Sequence, residues 1–569
     1  MTPSAVLPSS AAPETAHDGW CLRLMPSLAD LAFLFPVILL FFGLPGLKFL
    51  LNDGDTGWHI RTGEWILQHR AVPRVDLFSF TKSGTPWYAW EWGWDVCFAW
   101  IHHRSGLTGV AAANLVLLCF VSALLYTLIR RASRNEILAF ACTVIAMLGS
   151  VIHWLARPHL LSWVFILVFL HLVSRADQGQ HRLLWSLPPL TLIWANFHGS
   201  FFAGVVIVLT SGLGAAMSLL KTNRVSWRSM LRTIRPYLLC AVACLAASFA
   251  NPYTWHLHQH ILRYLTDSKL LDEIVEYQSV SFHLSSAVFF EVMLLLGAGA
   301  AFWCVRIGQF AGFLGVLLWA HLALVSGRNI PLFLFVASPW IALMLQDLLS
   351  RSRSISNLRS SIHLLSEITT EFASFERIGR LHLLSVLTVF LLGWTFMSGK
   401  YRPQIEFDPV TFPAKALPLI EARGGRVFTS EQWGDYLIYR LYPSTRVFID
   451  GRSDLYGTDL LAEYGHIFTG SYNCEQKLQR FAIDTVLVRP STALATVLKK
   501  SSRWEVLFDD GSVIVFGAHR NMPVAKPPSR PLLNSFPRSD QREKELEGVK
   551  VPAAPYIASQ QSLEERRRT

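Results

Sequence analysis

The sequence is poor in charged residues. Asp, Glu, Lys and Arg make up 16% of its 569 residues, whereas a soluble globular chain contains about 25%. Long apolar runs recur instead through roughly the first 400 residues, and about 20 such residues cross a hydrocarbon core of ~30 Å. This composition excludes a soluble protein and indicates an integral membrane protein with many spans.

Other absences narrow the class further. The eight cysteines form neither a disulfide framework nor a Cys-x-x-Cys metal motif. The formal net charge of +11 comes from short basic segments between apolar runs, a pattern typical of membrane proteins, and we therefore expect no nucleic-acid partner. The cytoplasmic N-terminal segment 1–28 lacks a cleavable signal pattern, so the first apolar run is expected to remain as a span.

Eleven apolar segments are predicted to be transmembrane helices, which makes residues 29–398 a polytopic α-helical domain. With the N-terminus inside, the cytoplasmic segments carry 17 Lys and Arg and the outer segments before the last span carry nine, in agreement with the positive-inside rule. An odd number of spans then places the C-terminal region outside. The predicted bounds are 29–51, 107–129, 137–155, 160–174, 183–197, 201–220, 236–250, 286–304, 309–326, 330–349 and 382–398.

The sequence changes character after the last predicted span. RVFTS, TRVFID, DTVLVRP and EVLFDDGSVIVFG are typical of strands, and segments of helical spacing lie between them. This alternation predicts an extracytoplasmic α/β domain within residues 399–518. The tail 519–569, rich in Pro, Ser and charged residues, is predicted to be disordered.

The outer loop 52–106 begins with two closely spaced carboxylates. In LNDGDTGWHIRTGEWI, Asp53 and Asp55 precede His59 and Arg61. Acidic residues at this position are equally expected if they only cap the span and start a surface helix. The sequence around them decides between these interpretations.

The same loop holds seven of the chain's 20 tryptophans. An aromatic belt at the membrane interface accounts for some of them. It accounts less well for WYAWEWGWD, in which Glu91 and Asp95 alternate with indoles such as Trp92. Flat aromatic faces with carboxylates between them favour a sugar as the ligand.

Further polar residues fall at the outer ends of predicted spans. Each of them alone is typical of an interfacial or helix-capping position. Ionisable residues near membrane depth are nevertheless costly and usually functional, and here they gather on one side of the bilayer. The polar residues at these span ends include the ionisable Arg157, His159, His198 and Arg328 and the amides Asn196 and Asn329.

These features resemble the GT-C superfamily of membrane glycosyltransferases, which includes the oligosaccharyltransferase catalytic subunit and the protein O-mannosyltransferases. DTGWHIRT resembles the first-loop acidic motif of the oligosaccharyltransferase subunit, with Asp55 as the matched acid, Asp53 as a second carboxylate and Arg61 as the matched Arg. Most of residues 50–517 also resemble a bacterial group of polytopic proteins, which implies a multi-pass protein of the inner (cytoplasmic) membrane. That similarity rests on ARPHLLSW, NFHGSFFAG, NPYTWHL, RNIPLF and WGDYLIYRLYPSTRVFIDGRSDLYG.

The resemblance implies a GT-C-like fold and an inverting glycosyltransferase. Such an enzyme takes a sugar from a polyprenyl-phosphate carrier and transfers it to an extracytoplasmic glycan, lipid or protein. Asp55 is then expected to act as the base, with Asp53 as a helper, and the two carboxylates are compatible with Mg²⁺, with Mn²⁺ or with no metal. Arg328 is the first candidate for the phosphate and Arg157 the second. The other expected substrate-binding residues are His59, Arg61, Glu91, Trp92, Asp95, His159, Asn196, His198 and Asn329.

A non-enzymatic transporter or a lipid- or glycan-handling protein is the alternative. Many spans with Arg and Asn near membrane depth fit that class. Transporters, however, usually contain internal repeats, and none is visible in this sequence. We therefore favour the enzyme.

Overall fold

The computed structural model of the protein describes residues 23–221, 226–352, 381–397 and 405–519. The predictions for the first 22 residues and for the tail beyond residue 519 lie outside these ranges. In the described part of the chain, helices dominate up to residue 397 and a small sheet follows.

A helix coincides with each of the eleven predicted spans. One of them, α6, has only nine residues. By length and hydropathy, seven helices of the described ranges are suited to cross a membrane, and three shorter apolar helices accompany them. These helices show a membrane protein, while the number of spans stays a prediction. The helices of this part are α1 (Leu28–Ile38), α2 (Asp55–His69), α3 (Trp92–Ser133), α4 (Glu136–Ser150), α5 (His159–Asp177), α6 (Leu187–Ala195), α7 (Phe202–Ser218), α8 (Trp227–Ser248), α9 (Trp255–Thr266), α10 (Ser268–Glu273), α11 (Val288–Ile307), α12 (Phe310–Val325), α13 (Ile330–Ser352) and α14 (Leu383–Met397).

The region around the outer loop differs from its prediction. The first span is not one helix to residue 51, because α1 passes into a π-helical turn that ends at Gly43, and a 3₁₀ helix, Gly46–Leu51, follows. Pro36 lies inside α1, where it removes a backbone donor, and Pro45 follows the π-helical turn. The outer loop itself is partly helical, since α2 lies within it and α3 already begins at Trp92.

The C-terminal region folds into a five-stranded mixed sheet with the strand order β2-β1-β3-β5-β4. The three strands β2, β1 and β3 are parallel, and β5 is antiparallel to both β3 and β4. All predicted strand segments are present, the last one as a hairpin. The strands are β1 (Arg426–Phe428), β2 (Arg446–Val447), β3 (Thr485–Val488), β4 (Trp504–Asp509) and β5 (Ile514–Ala518). The helices are α15 (Leu417–Arg423), α16 (Glu431–Leu441), α17 (Ser453–Phe468), α18 (Cys474–Arg480) and α19 (Ala493–Lys499).

The outer-loop helix α2 packs directly on α16 of the C-terminal domain. Glycines make this close approach possible. A Cβ atom on Gly54 would lie 2.4 Å from the Gln432 carbonyl oxygen, and one on Gly57 would lie 2.7 Å from the Tyr439 Cβ. Arg61, one helical turn further along α2, donates to the Tyr439 carbonyl through Nε at 2.7 Å. The glycines of the DGDTG segment therefore bring the acidic loop against the C-terminal domain.

A second contact joins the outer loop to the edge of the sheet. The Phe80 amide donates to the Val447 carbonyl at 3.1 Å, and the Val447 amide donates to the Phe78 carbonyl at 3.3 Å. The loop thereby covers the β2 edge, which would otherwise expose unpaired backbone groups. Behind this edge, the buried Arg452 guanidinium lies 2.7 Å from both Asp76 and Asp450.

We predict that Gly57→Ala separates α2 from α16. The new methyl group would overlap Tyr439 and the Asp435 carbonyl oxygen, which lies 2.9 Å from the ideal Cβ position. Overpacking of this kind costs about 1–3 kcal/mol, more than the roughly 0.5–1 kcal/mol gained by replacing a helical glycine. Unfolding of the full chain in detergent measures the loss.

Gly465→Ala is the matched control for this substitution. Gly465 lies in α17 and has no neighbour within 4 Å of its ideal Cβ position. The same change is expected to stabilise the protein slightly. Equal stability of the two variants would contradict a tight α2–α16 interface.

We also predict that Asp76→Asn weakens the attachment of the C-terminal domain. Removing one partner of a buried ion pair costs roughly 3–5 kcal/mol, and the lower end applies because Asp450 still pairs with Arg452. The control is Glu406→Gln, which breaks a 3.3 Å pair with Arg440 whose side chains are 40% and 59% exposed. That pair is worth about 0–1 kcal/mol. Limited proteolysis between α14 and the sheet, together with unfolding curves, separates the two variants.

Candidate active site

A cavity of about 2070 Å³ lies where the membrane helices, the outer loop and the C-terminal domain meet. The residues that follow β1, β2 and β3 form one wall, because the carboxyl ends of parallel strands meet at the same edge of a sheet. Ligands of open α/β sheets bind at that edge. The residues that follow these strands and line the cavity include Glu431, Gln432, Gly451, Arg452, Asp454, Arg489 and Thr492.

Three carboxylates meet at Arg157 beside this cavity. Arg157 Nη1 lies 2.9 Å from Asp53 Oδ2, and Nη2 lies 2.6 Å from Asp55 Oδ2. Glu276 Oε1 also contacts Nη1. These groups come from three separate segments of the chain, and in this largely buried position the carboxylates outnumber the single guanidinium.

Backbone and amide groups hold the two aspartates in place. Asp55 is the first residue of α2, and its amide donates to Asp53 Oδ1 at 3.0 Å. The Gln432 side-chain amide donates to the same oxygen at 3.1 Å. Both aspartates consequently point to the same guanidinium, although Asp55 belongs to a helix and not to an extended segment.

Asp55 has a second carboxyl group beside it, that of Asp435. Asp55 Oδ1 and Asp435 Oδ2 are buried without an N–H or hydroxyl donor, and both face Gly451. A Cβ atom on Gly451 would lie 2.1 Å from Asp55 Oδ1 and 3.0 Å from Asp435 Oδ2. Only glycine leaves room here for the two carboxyl groups.

Burial sets the protonation of this pair. It raises the pKa of Asp435 well above its usual range, and the Asp55 charge adds to this effect. Burial also raises the pKa of Asp55 to about 7, while Arg157 and a hydrogen bond from Asp435 oppose the rise. At neutral pH, Asp435 therefore keeps its proton and donates a hydrogen bond to Asp55. The Asp55 carboxyl group, in contrast, can gain or lose a proton near this pH.

Glu276 differs from Asp55 in its charge state. Burial alone would raise the pKa of its carboxyl group, but Arg157 and Arg328 hold the pKa of Glu276 well below the usual range. Arg328 Nε lies 3.8 Å from Glu276 Oε2, and its Nη1 donates to the Tyr277 hydroxyl at 3.0 Å. Arg328 is thus less fully bound by carboxylates than Arg157.

A second polar cluster lines the cavity around Glu91. Its carboxyl oxygens lie 3.6 Å from His59 Nε2 and 3.4 Å from His198 Nε2. His59 Nδ1 lies 2.6 Å from Asp95 Oδ1, and His198 Nδ1 lies 2.9 Å from the Ser162 hydroxyl. These outer partners fix the orientation of both imidazole rings.

The Glu91 cluster carries little charge at neutral pH. Burial raises the pKa of Glu91 to about 8, despite Arg157 and Arg328. Burial also holds the pKa values of His59 and His198 well below the usual range, with Arg157 and Arg328 respectively contributing. A protonated carboxyl group between two neutral imidazoles offers hydrogen bonds to hydroxyl groups of a ligand.

Aromatic side chains form a continuous wall from Arg328 to the C-terminal domain. The Arg328 guanidinium lies 5.3 Å from the centre of the Tyr277 ring, and Tyr264 lies next in the wall. The neighbouring ring is Trp90, followed by His260. His260 Nε2 lies 3.0 Å from Asp454 Oδ2, at the carboxyl edge of the sheet.

The cavity becomes apolar toward the membrane helices. Apolar side chains from several membrane helices line this part, and such a surface suits a hydrocarbon chain. It is lined by Trp163, Ile166, Phe202, Ala203, Val206, Trp319, Leu322 and Leu332. The cavity is therefore amphipathic, with the charged cluster at its polar end.

Most of the residues singled out in the sequence reach this cavity. Asp55, His59, Glu91, Asp95, Arg157, His159, His198, Arg328 and Asn329 line it. His159 Nε2 lies 2.7 Å from the His153 carbonyl oxygen, and Asn329 donates to the Leu322 carbonyl at 3.2 Å.

Four predicted residues are not among those lining the cavity. Asp53 contacts the Arg157 guanidinium, and Arg61 donates to the Tyr439 carbonyl. Trp92 Nε1 donates to Asn196 Oδ1 at 2.9 Å. The Asn196 amide in turn donates to the Ala250 carbonyl at 2.8 Å. These contacts hold neighbouring segments together.

The sequence reasoning gave no role to Glu276, Gln432, Asp435 or Gly451. In the sequence, Glu276 is only one of several acidic residues near the outer ends of predicted spans. The other three follow β1 or β2, in the segments EQWGDY and DGR. Polar residues and glycines directly after parallel strands were a usable signal for this site.

Of the alternatives that the sequence left open, Mg²⁺ and Mn²⁺ do not fit the carboxylates as they are arranged. Mg²⁺ and Mn²⁺ prefer several oxygen ligands around one ion, but Asp53 and Asp55 both bind the Arg157 guanidinium. Across residues 23–221, 226–352, 381–397 and 405–519, no group of three or more His, Cys, Asp or Glu residues is placed to hold a metal ion.

Comparisons with known proteins find similarity in solved structures alone. No family model matches the chain, and no curated protein matches it. One of the solved structures is a crystal structure of the Archaeoglobus fulgidus oligosaccharyltransferase, tethered to an acceptor peptide with the NVT sequon. It has a TM-score of 0.46 and 12% identity, and the match covers 81% of the present chain and 68% of the oligosaccharyltransferase chain. A second structure is that of the archaeal oligosaccharyltransferase AglB of the same organism, in complex with an inhibitory peptide and a dolichol-phosphate. It has a TM-score of 0.49 and 11% identity, and the match covers 87% of the present chain and 74% of the AglB chain. Similarity at this level does not assign an activity to the present chain.

Proposed function

We propose that this protein is a membrane glycosyltransferase that transfers a sugar from a polyprenyl-phosphate-linked donor to an extracytoplasmic acceptor. The observation that carries the proposal is one amphipathic cavity with a buried, ionisable carboxylate at its polar end. A lipid-linked sugar has the same three parts in the same order: a hydrocarbon chain, an anionic phosphate and a polar saccharide.

The apolar part of the cavity is suited to the lipid chain of the donor. Trp163, Trp319 and Leu332 line that part, and burial of hydrocarbon against such side chains is favourable by about 25 cal/mol per Å². A soluble nucleotide-sugar donor would leave this surface without a partner. The lining therefore favours a lipid carrier.

Arg328 is the better of the two candidates for the phosphate. Three carboxylates already bind Arg157, so its charge is more than balanced before any ligand arrives. Arg328 has a longer ion pair with Glu276 and one hydrogen bond to Tyr277. Its planar fork can still bind phosphate oxygens, a geometry that guanidinium groups favour.

The aromatic wall and the Glu91 cluster suit the saccharide. Trp90 and Tyr264 offer flat faces to the C–H groups of a sugar ring. Glu91, His59 and His198 offer hydrogen bonds to its hydroxyl groups without placing a full charge beside them. This combination matches the two kinds of surface that a sugar presents.

Asp55 is assigned as the general base. In the transfer step, it accepts the proton of the acceptor hydroxyl while that oxygen forms a bond to the anomeric carbon of the sugar. The bond between this carbon and the phosphate oxygen breaks, and the phosphate leaves with the bonding electrons beside Arg328. A single displacement of this kind inverts the anomeric configuration, and positioned bases of this type contribute about 10²–10⁴ in rate.

We predict that Asp55→Asn abolishes transfer without unfolding the protein. The substitution keeps the size of the side chain but removes the proton acceptor, so the rate is expected to fall by about 10²–10⁴. Arg157 retains Asp53 and Glu276 as partners, so the fold should survive. The measurement is transfer by purified protein from a panel of polyprenyl-phosphate sugars, alongside thermal unfolding.

Asp272→Asn makes the same chemical change on the cavity rim, where the side chain is exposed, and it is expected to leave transfer unchanged. Full activity of Asp55→Asn would contradict the assignment of Asp55 as the general base. A protein that moves lipid-linked sugar across vesicles but never cleaves it would favour the transporter instead.

We further predict that kcat/KM rises with pH and levels off above a midpoint of about 7, the pKa to which burial raises Asp55. A base is active only when it is ionised, and the ionised form predominates above the pKa. Activity should therefore fall about tenfold per pH unit below the midpoint. The profile of kcat/KM between pH 5 and pH 9, roughly the window around that midpoint, tests this, and a flat profile would contradict the assignment.

A further inference from the structure

The arrangement around Arg157 resembles a metal site in which the ion is replaced by a side chain. Oxygens of Asp53, Asp55 and Glu276 contact one guanidinium group. Several carboxylate oxygens around one cation is also the ligand set of Mg²⁺ and Mn²⁺ in proteins. Here the cation belongs to the chain itself.

The position of the guanidinium is fixed by its surroundings. Both Nη atoms bind carboxylates, and the Asp53 carboxylate is held in turn by Gln432. The backbone before the side chain is also held, since the Ala156 amide donates to the Leu50 carbonyl at 2.8 Å and the Arg157 amide to the Leu155 carbonyl at 2.8 Å. A guanidinium stays charged at every physiological pH.

A divalent ion bound by the same three carboxylates would have to occupy the volume of this guanidinium. It would also bring two positive charges beside Arg157 and Arg328. Close like charges of this kind are strongly unfavourable in a largely buried site. The ion and the arginine are therefore mutually exclusive.

We propose that Arg157 is the resident cation of this site and takes the place that a divalent metal ion would otherwise occupy. Arg157 is then a positioning residue: it binds Asp55 Oδ2 and leaves Oδ1 beside Asp435. This inference deepens the proposed function, because it makes the transfer independent of added metal. Its ion-binding part stands without any assumption about the substrate.

Direct measurement of Mn²⁺ binding to the full-length protein in detergent tests the proposal. Paramagnetic resonance of free Mn²⁺ gives the bound fraction for wild type, Arg157→Lys, Arg157→Ala and Arg157→Met. Wild type and Arg157→Lys are expected to bind no ion at this site, because each retains a cation there. Arg157→Ala and Arg157→Met are expected to bind about one Mn²⁺ per chain.

Two further measurements locate the bound ion. Mn²⁺ should raise the thermal unfolding midpoint of Arg157→Ala and Arg157→Met but not that of wild type, since a ligand stabilises the state that binds it. Adding Glu276→Gln to either variant should abolish both the binding and the shift. If Arg157→Ala cannot be purified, Arg157→Met, which keeps most of the aliphatic length, carries the same comparison.

Two results would overturn the proposal. The first is a stoichiometric Mn²⁺ ion on wild type that is lost in Glu276→Gln. The second is a folded Arg157→Met protein that binds no ion, which would show that the carboxylates do not form a cation site. Neither result depends on sugar transfer, so the failure of this inference and the failure of the proposed function are distinguishable.

Discussion

The contact of Arg157 with Asp53, Asp55 and Glu276 is the interaction on which the rest of the site depends. It joins the start of α2, the segment between α4 and α5, and the segment after α10. Taking so many charges out of water is expensive unless each is paired and hydrogen-bonded. The cluster meets part of this condition through Gln432 and the Asp55 amide, which both donate to Asp53 Oδ1. It therefore requires the C-terminal domain to be in place.

The C-terminal domain is thus part of the site and more than an appendage of the membrane helices. Its α16 lies against α2 because Gly54 and Gly57 leave room for it. The carboxyl ends of its parallel strands form one wall of the cavity. The Asp55–Asp435 pair joins the outer loop to the C-terminal domain, and the tight space at Gly451 keeps the two carboxyl groups together. Loss of the domain would leave Asp55 more exposed to water and its pKa closer to that of an ordinary carboxyl group.

Two kinds of polar environment lie in one cavity and suit different parts of a ligand. Around Arg157 the groups are charged and carboxylates predominate, whereas Arg328 beside them is less fully bound by carboxylates, which suits an anion that is bound and released. Around Glu91 the groups are neutral, because burial suppresses the charge of both the acid and the imidazoles. The nearest partners contribute to this difference, since Arg157 and Arg328 hold Glu276 in its charged form.

The sequence by itself determined the helical segments and the strands of the C-terminal domain, because hydropathy and periodicity are local properties. It also indicated Asp55, Arg157 and Arg328 as residues of one site. Only the tertiary structure decided that Arg157 binds Asp55, that Trp92 and Asn196 bind each other, and that Asp435 lies beside Asp55. Such partners are separated by about 100 to 380 positions in the sequence, and their pairing depends on the packing of whole elements, which no local pattern records.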